Sequence, residues 1–186
     1  STLMRSSAAS DVYKRQGVIE MNALVKYVVT DPCYILDNDA WDECCKFLDD
    51  RPKAFNDAVS KALTEFSGFP AYACDTGFGD WSNKIYGSYI IHKEFCADSG
   101  MVCICRLTPE IEKHFEENYS DIYSRCAAVF EGSEDICVDF DISDPSWTVV
   151  KIHDNKTGNF IETMSSDDFY AESDDYYEED EEEYWK

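Results

Sequence analysis

Four aspartates lie near Pro or Gly in short segments that are typical of turns: Asp31, Asp75, Asp80 and Asp98. At strand ends or in tight turns, several such carboxylates could converge on a Mg²⁺ or Ca²⁺ ion. The alternative, which the residue types favour, is local turn chemistry, in which each side chain accepts hydrogen bonds from nearby backbone N–H groups. No cofactor is predicted, and a divalent cation stays open.

Nucleophilic catalysis by Cys33 is a second chemistry to weigh. This cysteine follows Pro32 at the expected end of a strand, and His92 or His114 could act as its base. A cysteine among Pro, Tyr and Ile is more often a small buried hydrophobe, and nothing in the sequence places either histidine beside it. The favoured interpretation is therefore a buried thiol.

The nine cysteines could also form a zinc site, since Cys103 and Cys105 would share one strand face and Cys44 and Cys45 are adjacent. Paired CxxC spacing is absent, however, and the odd count argues against a disulfide framework. Residues 101–105 instead predict a strand buried on both faces. Reduced, buried thiols are expected at Cys44, Cys45, Cys103, Cys105 and Cys137.

Three segments carry a further signal: Asp31-Pro32-Cys33-Tyr34, Asp75-Thr76-Gly77-Phe78-Gly79-Asp80 and Ala97-Asp98-Ser99-Gly100-Met101. Together they resemble a family of small, uncharacterised phage and bacterial proteins. The family shares a DPCY element, a TGYGDG-like element and a DSG-like element. The resemblance covers roughly Tyr27 to Cys105, with Trp81 in place of the usual second glycine. It implies a phage or bacterial origin and names no activity.

The elements that must position these residues are predicted to form an α+β domain, with a mostly antiparallel sheet, a helical hairpin inserted after the first strand, and one further helix. The hairpin's first helix follows caps at 37–39 and is expected to bury Trp41, Cys44, Cys45 and Leu48. Its second helix runs from Pro52 to Gly68. The further helix begins at Thr108-Pro109.

The strands are predicted from β-branched residues, alternation and turn signals. Those between positions 70 and 107 are expected to form a meander. The predicted strands are 24–29, 71–74, 85–92, 101–107, 127–131, 135–142, 147–152 and 159–163.

Charge is the strongest compositional signal, because 39 Asp and Glu against 16 Lys and Arg leave a net charge of −23. A phosphate backbone needs clustered Lys and Arg, so direct binding to nucleic acid or to an anionic membrane is disfavoured. A basic protein surface is the natural electrostatic partner. We expect an interaction or inhibitory protein that binds such a surface, where its carboxylates could occupy the place of phosphates; the alternative is a small cation-dependent enzyme or ligand-binding domain.

The segment 165–186 holds eleven acids against one lysine, so it is expected to be a disordered tail. Aromatic residues among its acids could anchor a basic groove, and the alternative is a tail that only aids solubility. The candidate anchors are Tyr176, Tyr177, Tyr184 and Trp185.

The first residues read differently from the rest, and residues 6–16 resemble a translated sequencing-adaptor peptide. We therefore expect a non-native leader at 1–20, a natural start at Met21, and a single domain at 21–164. No apolar run reaches eighteen residues and no secretory signal is evident, which predicts a cytoplasmic protein.

Overall fold

The structure is a computed structural model that describes residues 24–50, 52–76, 81–122, 126–144 and 147–163. The predicted α+β class is confirmed, since these residues form three α-helices and ten β-strands. The elements, in chain order, are β1 Val25–Thr30, α1 Asn38–Cys45, α2 Lys53–Ser67, β2 Tyr72–Asp75, β3 Trp81–Gly87, β4 Ile90–His92, β5 Glu94–Ala97, β6 Met101–Arg106, α3 Pro109–Tyr119, β7 Ala127–Gly132, β8 Ile136–Asp144, β9 Trp147–Asp154 and β10 Phe160–Thr163.

The strands form two antiparallel sheets of five strands each. The first, which we call the central sheet, has the order β2-β6-β1-β7-β4. The second, the outer sheet, has the order β5-β3-β10-β9-β8. The three helices pack on one face of the central sheet and the outer sheet packs on the other, so the domain has three layers with two hydrophobic cores.

Strand β6 shows why the central sheet is buried on both faces. Met101, Cys103 and Cys105 face the helices, while Val102 and Ile104 face the outer sheet. All five are at most 1% exposed. The predicted doubly buried strand is confirmed, and the CxC pattern arises because cysteine serves here as a small apolar side chain.

The caps of the longer helices lie where the sequence predicts them. Pro52 precedes α2, and Gly68 ends that helix in the left-handed conformation with φ 74°. Thr108 caps α3, its hydroxyl accepting from the Ile111 N–H. Helix α1 follows the Asp37 cap, whose carboxylate accepts from the Ala40 N–H.

The predicted buried face of α1 is only partly correct. Cys44 is buried, but Trp41 and Cys45 are only half-buried and Leu48 is 41% exposed. The reason is that α1 ends at Cys45, and Leu48 begins a separate 3₁₀ helix instead of continuing the helical stripe.

The predicted meander is wrong, because the chain changes sheets within it. The single strand expected at 85–92 is split into β3 in the outer sheet and β4 in the central sheet, and β5 was not predicted. The chain turns at Ser88 and Tyr89, and Tyr89 has φ 60°. The predicted leader at 1–20 and tail at 165–186 lie outside the described residues.

Gly87 allows β3 to pass close to β10 at this turn. It has φ 144°, and a Cβ placed there would lie 2.1 Å from the Phe160 carbonyl oxygen. Such an overlap is far inside van der Waals contact, so the backbone would have to move. A side chain is therefore excluded at position 87 in this arrangement.

Gly87→Ala should lower the free energy of unfolding by about 3 kcal/mol, because it combines a steric overlap with an unfavourable φ. Gly158→Ala is the matched control: its φ is 71° but nothing lies within 4 Å of the added carbon. The control should cost about 1 kcal/mol. Urea unfolding measures both, and equal losses would contradict the close approach.

Candidate functional site

Asp31, at the end of β1, is the best-connected polar residue of the predicted site. It is 0% exposed and caps the 3₁₀ helix Pro32–Tyr34, where Oδ1 accepts from the Cys33 N–H at 2.8 Å. A carboxylate so buried requires full hydrogen bonding, because desolvation of a charge is costly. The rest of its partners come from a distant segment.

Those partners belong to the turn between β5 and β6. The Asp31 Oδ2 accepts from the backbone N–H of Asp98 at 2.8 Å and of Ser99 at 2.7 Å. The Ser99 hydroxyl lies 2.7 and 2.8 Å from the two carboxylate oxygens. The DPCY and DSG-like elements therefore meet through one buried carboxylate.

Three more bonds close the site. The Tyr34 hydroxyl donates to Asp98 Oδ2, and the backbone N–H and hydroxyl of Thr76 both donate to the Gly100 carbonyl at 2.8 Å. Residues of all three elements thus converge. We call Asp31, Tyr34, Thr76 and 98–100 the motif junction.

The motif junction does not have the features of a metal centre. Among the described residues, no group of three or more His, Cys, Asp or Glu side chains could hold a metal ion. The Asp31 oxygens already accept from four N–H and O–H groups of the protein. Asp75 pairs with Met101 in the central sheet, and Asp80 lies outside the described residues. The local turn chemistry favoured by the sequence accounts for the Cys33 bond of Asp31, whereas its other donors come from the distant residues Asp98 and Ser99.

The candidate nucleophile Cys33 has an unfavourable environment for a thiolate. Burial, and next the negative charges of Asp31 and Asp98, raise the pKa of this thiol far above its usual range. His92 lies on β4, with Nδ1 2.8 Å from the Ala127 carbonyl oxygen. The pair proposed from the sequence is therefore poorly suited to nucleophilic catalysis.

Other thiols near the junction are also held protonated. The Tyr34 hydroxyl lies 3.4 Å from Cys96 Sγ. Burial, and next the neighbouring Cys96, raise the pKa of Cys126 to about 11. Burial raises the pKa of Cys105 to about 12. Neutral thiols packed as apolar groups are the rule in this part of the chain.

Two further buried side chains that bond a distant turn were not predicted, although both are of turn-forming residue types. Asp154, 3% exposed, accepts from the Ser133 N–H at 2.6 Å and from the Ser133 hydroxyl at 2.7 Å. It also accepts from the Lys156 and Thr157 N–H groups at 2.9 Å. Asn159 accepts from the Ser88 N–H at 3.1 Å and donates to the Ser88 carbonyl at 2.8 Å.

The pKa of Asp154 follows from this geometry. Burial alone would raise it, but the backbone N–H groups of Ser133 and Thr157 and their hydroxyls stabilise the carboxylate and hold the pKa well below its usual range. Asp154 is thus an ionised group inside the fold, and its contribution depends on staying ionised.

Cys137 corrects the expectation of buried thiols. It is the exposed member of the nine cysteines, because it occupies an outward position on β8 at the edge of the outer sheet. Cys44, Cys103 and Cys105 are buried as expected, and Cys45 is half-buried.

The outer side of the three helices, which we call the helical layer, is strongly acidic. Residues 37–67 and 109–121 contain thirteen Asp and Glu against five Lys and Arg. At the end of α1 two large apolar side chains are exposed within it, Phe47 at 43% and Leu48 at 41%. The predicted anchors Tyr176, Tyr177, Tyr184 and Trp185 lie outside the described residues.

Comparison of the chain with protein-family models, with curated proteins and with solved structures finds no match. The resemblance to small phage and bacterial proteins therefore stays a prediction. None of the helices in the described residues is long and apolar enough to cross a membrane.

Asp31→Asn should lower the free energy of unfolding by about 3 kcal/mol, because an amide group must turn its N–H donors towards the donors of Cys33, Asp98 or Ser99. Asp42→Asn, on the exposed side of α1, is the control and should change stability by less than about 0.5 kcal/mol. Urea unfolding gives both values. Equal losses of stability in the two variants would contradict the role of Asp31. A shift in Tm on adding Mg²⁺ or Ca²⁺ that is seen in the wild type and abolished in Asp31→Asn would also contradict it.

Asp154 should make stability fall in acid. Its folded pKa lies below the unfolded value of about 3.9, so its contribution is complete above about pH 5 and is lost as the pH falls. Asp154→Asn should cost about 2 kcal/mol or more at pH 7 and distinctly less at pH 3. Urea unfolding at pH 7 and at pH 3 measures the two losses, at low protein concentration because the pI is near 4.2. An equal loss of stability at the two pH values would contradict the role of Asp154.

Proposed function

We propose that this chain is a cytoplasmic interaction protein, of phage or bacterial origin, that binds a basic protein surface through its acidic helical layer. Bound there, it would compete with nucleic acid for the same basic surface. The observation that carries the proposal is the exposed Phe47–Leu48 pair within a strongly acidic layer.

Charge supports this assignment of partner. The five acids closest to the Phe47–Leu48 pair on α1 and the following 3₁₀ helix are all exposed. Facing a lysine- and arginine-rich surface, they would accelerate encounter and exclude acidic partners. These acids are Asp39, Asp42, Glu43, Asp49 and Asp50.

The basic residues of the helical layer are largely committed to local ion pairs. Lys46 pairs with Glu43, Lys61 lies 3.8 Å from Glu65, and Lys113 lies 3.4 Å from Glu117. Exposed pairs of this kind add little stability. Their effect is on the electrostatic field of the layer, because each of these three lysines lies beside an acid that offsets its charge.

Apolar anchors slow the dissociation of a complex, which exposed charges alone do not. Exposed ion pairs at an interface rim act mainly on the association rate, whereas buried aromatic and aliphatic side chains hold the complex together. Phe47 and Leu48 are large enough for that role. The aromatic residues of 165–186 are proposed as a second set of anchors on the sequence evidence alone.

The proposal predicts separate effects of charge and anchors on binding. The protein should capture a basic partner from cell lysate at low salt, and duplex DNA should displace it. Phe47→Ser with Leu48→Ser should speed dissociation about tenfold or more, while Asp49→Asn with Asp50→Asn should slow association and weaken the salt dependence. Surface plasmon resonance with the captured partner measures both rates.

Ile142→Ser is the matched control, because Ile142 is 59% exposed but lies on the outer sheet. It should leave both rates unchanged. Capture without competition by DNA, or binding that is equal in the Phe47/Leu48 variant and in the wild type, would contradict the proposal. Deleting 165–186 reports separately on the second set of anchors.

A further inference from the structure

A thiol and an imidazole lie opposite each other on the solvent face of the outer sheet. Cys137 on β8 is the direct partner of His153 on β9. Both are exposed, while their neighbours Val138 and Ile152 point into the core. Directly opposed residues of an antiparallel pair have Cβ atoms about 4.5–5.5 Å apart, so the two side chains are within reach of each other.

The hydrogen bonds beyond His153 determine which of its nitrogens is the base. Asn155 Nδ2 donates to the Asp135 carboxylate at 3.0 Å, since a carboxylate only accepts. The amide oxygen of Asn155 therefore faces His153, 3.2 Å from Nδ1. In the neutral imidazole Nδ1 must then carry the proton, which leaves Nε2 as the acceptor.

Asn155, which orients this imidazole, is itself held in place by hydrogen bonds to Asp135. The Asn155 N–H donates to the Asp135 carbonyl at 3.0 Å, so both ends of the Asn155 residue are bonded to Asp135. On its other side His153 is the direct partner of Phe160 on β10. The row across the sheet is thus thiol, imidazole and phenyl ring, with the imidazole oriented by a carboxamide.

The surroundings of the Cys137–His153 pair favour one type of reaction. Both side chains are exposed on a sheet face, whereas acyl transfer needs enclosed donors that stabilise its intermediate. Thiol–disulfide exchange needs only a thiolate and room for in-line approach to a disulfide. An ordinary thiol is only a few per cent thiolate at pH 7, so an adjacent base raises its rate.

We propose that Cys137 is a histidine-assisted thiol that exchanges with small disulfides. Its proton moves to His153 Nε2, and Sγ bonds to one sulfur of the disulfide RSSR. The S–S bond breaks, the second sulfur leaves as a thiolate, and it takes the proton back from the imidazolium. The products are a mixed disulfide on Cys137 and one free thiol, so electrons and protons balance without another reactant.

The small disulfide is neutral or cationic, because the net charge of −23 repels anions. Selectivity over the other eight cysteines follows from exposure, since each of them is buried or half-buried. Cys33, Cys74, Cys105 and Cys126 moreover have raised pKa values, with burial as the largest cause.

The test uses the full chain and the neutral probe 4,4′-dithiodipyridine at pH 7. The fastest phase of thiopyridone release should vanish in Cys137→Ser, and mass spectrometry should locate the first adduct on Cys137. His153→Ala should slow that phase about tenfold or more, and added imidazole should restore part of the rate. Asn155→Ala should slow it about threefold by releasing the ring.

His114→Ala is the matched control, since it removes an imidazole from α3 and should leave the rate unchanged. Imidazole rescue separates a proton-transfer role of His153 from a structural one, because loss of folding would not be rescued. The proposal is overturned if the first adduct forms on another cysteine, if His153→Ala reacts as fast as the wild type, or if its slow reaction does not respond to imidazole.

Discussion

Where the chain passes from one packed sheet to the other, its backbone N–H and C=O groups leave the strand ladders and need other partners, and this constraint shapes the domain. Three of the described passages between the two sheets contain a serine bonded to a buried side chain. Asp31 holds the passage from β5 to β6, Asn159 that from β3 to β4, and Asp154 that from β7 to β8. Since these side chains come from distant segments, each passage also fixes where two sheets meet.

The same acidic residue type therefore has two opposite uses in the molecule. Asp31 and Asp154 are buried and surrounded by donors, so their charge organises the backbone. The acids of the helical layer lie mostly at the surface, where several pair with lysines, so their charge is directed outward. A strongly negative composition is compatible with a well-packed interior because the two populations are separated by the hydrophobic core between the helices and the central sheet.

Local signals in the sequence were enough for the end of α2, the start of α3 and β6, because Gly68, Thr108 and the apolar run at 101–105 act through neighbouring backbone and burial. The change of sheet at Ser88 was not predictable, since alternation marks a strand without saying which sheet it joins. For the motif junction the sequence identified the right segments, but which donors meet Asp31 depends on tertiary contact. The Cys137–His153 pair follows from the β8–β9 hairpin, in which two residues face each other when they lie equally far from position 145 along the chain.

The strand order has a consequence for how the domain is made. Val28 in β1 pairs with Cys105 and Val129, and Gly87 in β3 pairs with Ile161. Five of the eight strand pairings thus join segments far apart in the chain, a topology associated with slow folding. During synthesis β1 must wait on the ribosome for β6 and β7, and the outer sheet stays incomplete until β10 has emerged. Strands with unpaired edges are exposed throughout that interval, which is when a chaperone would have most to bind.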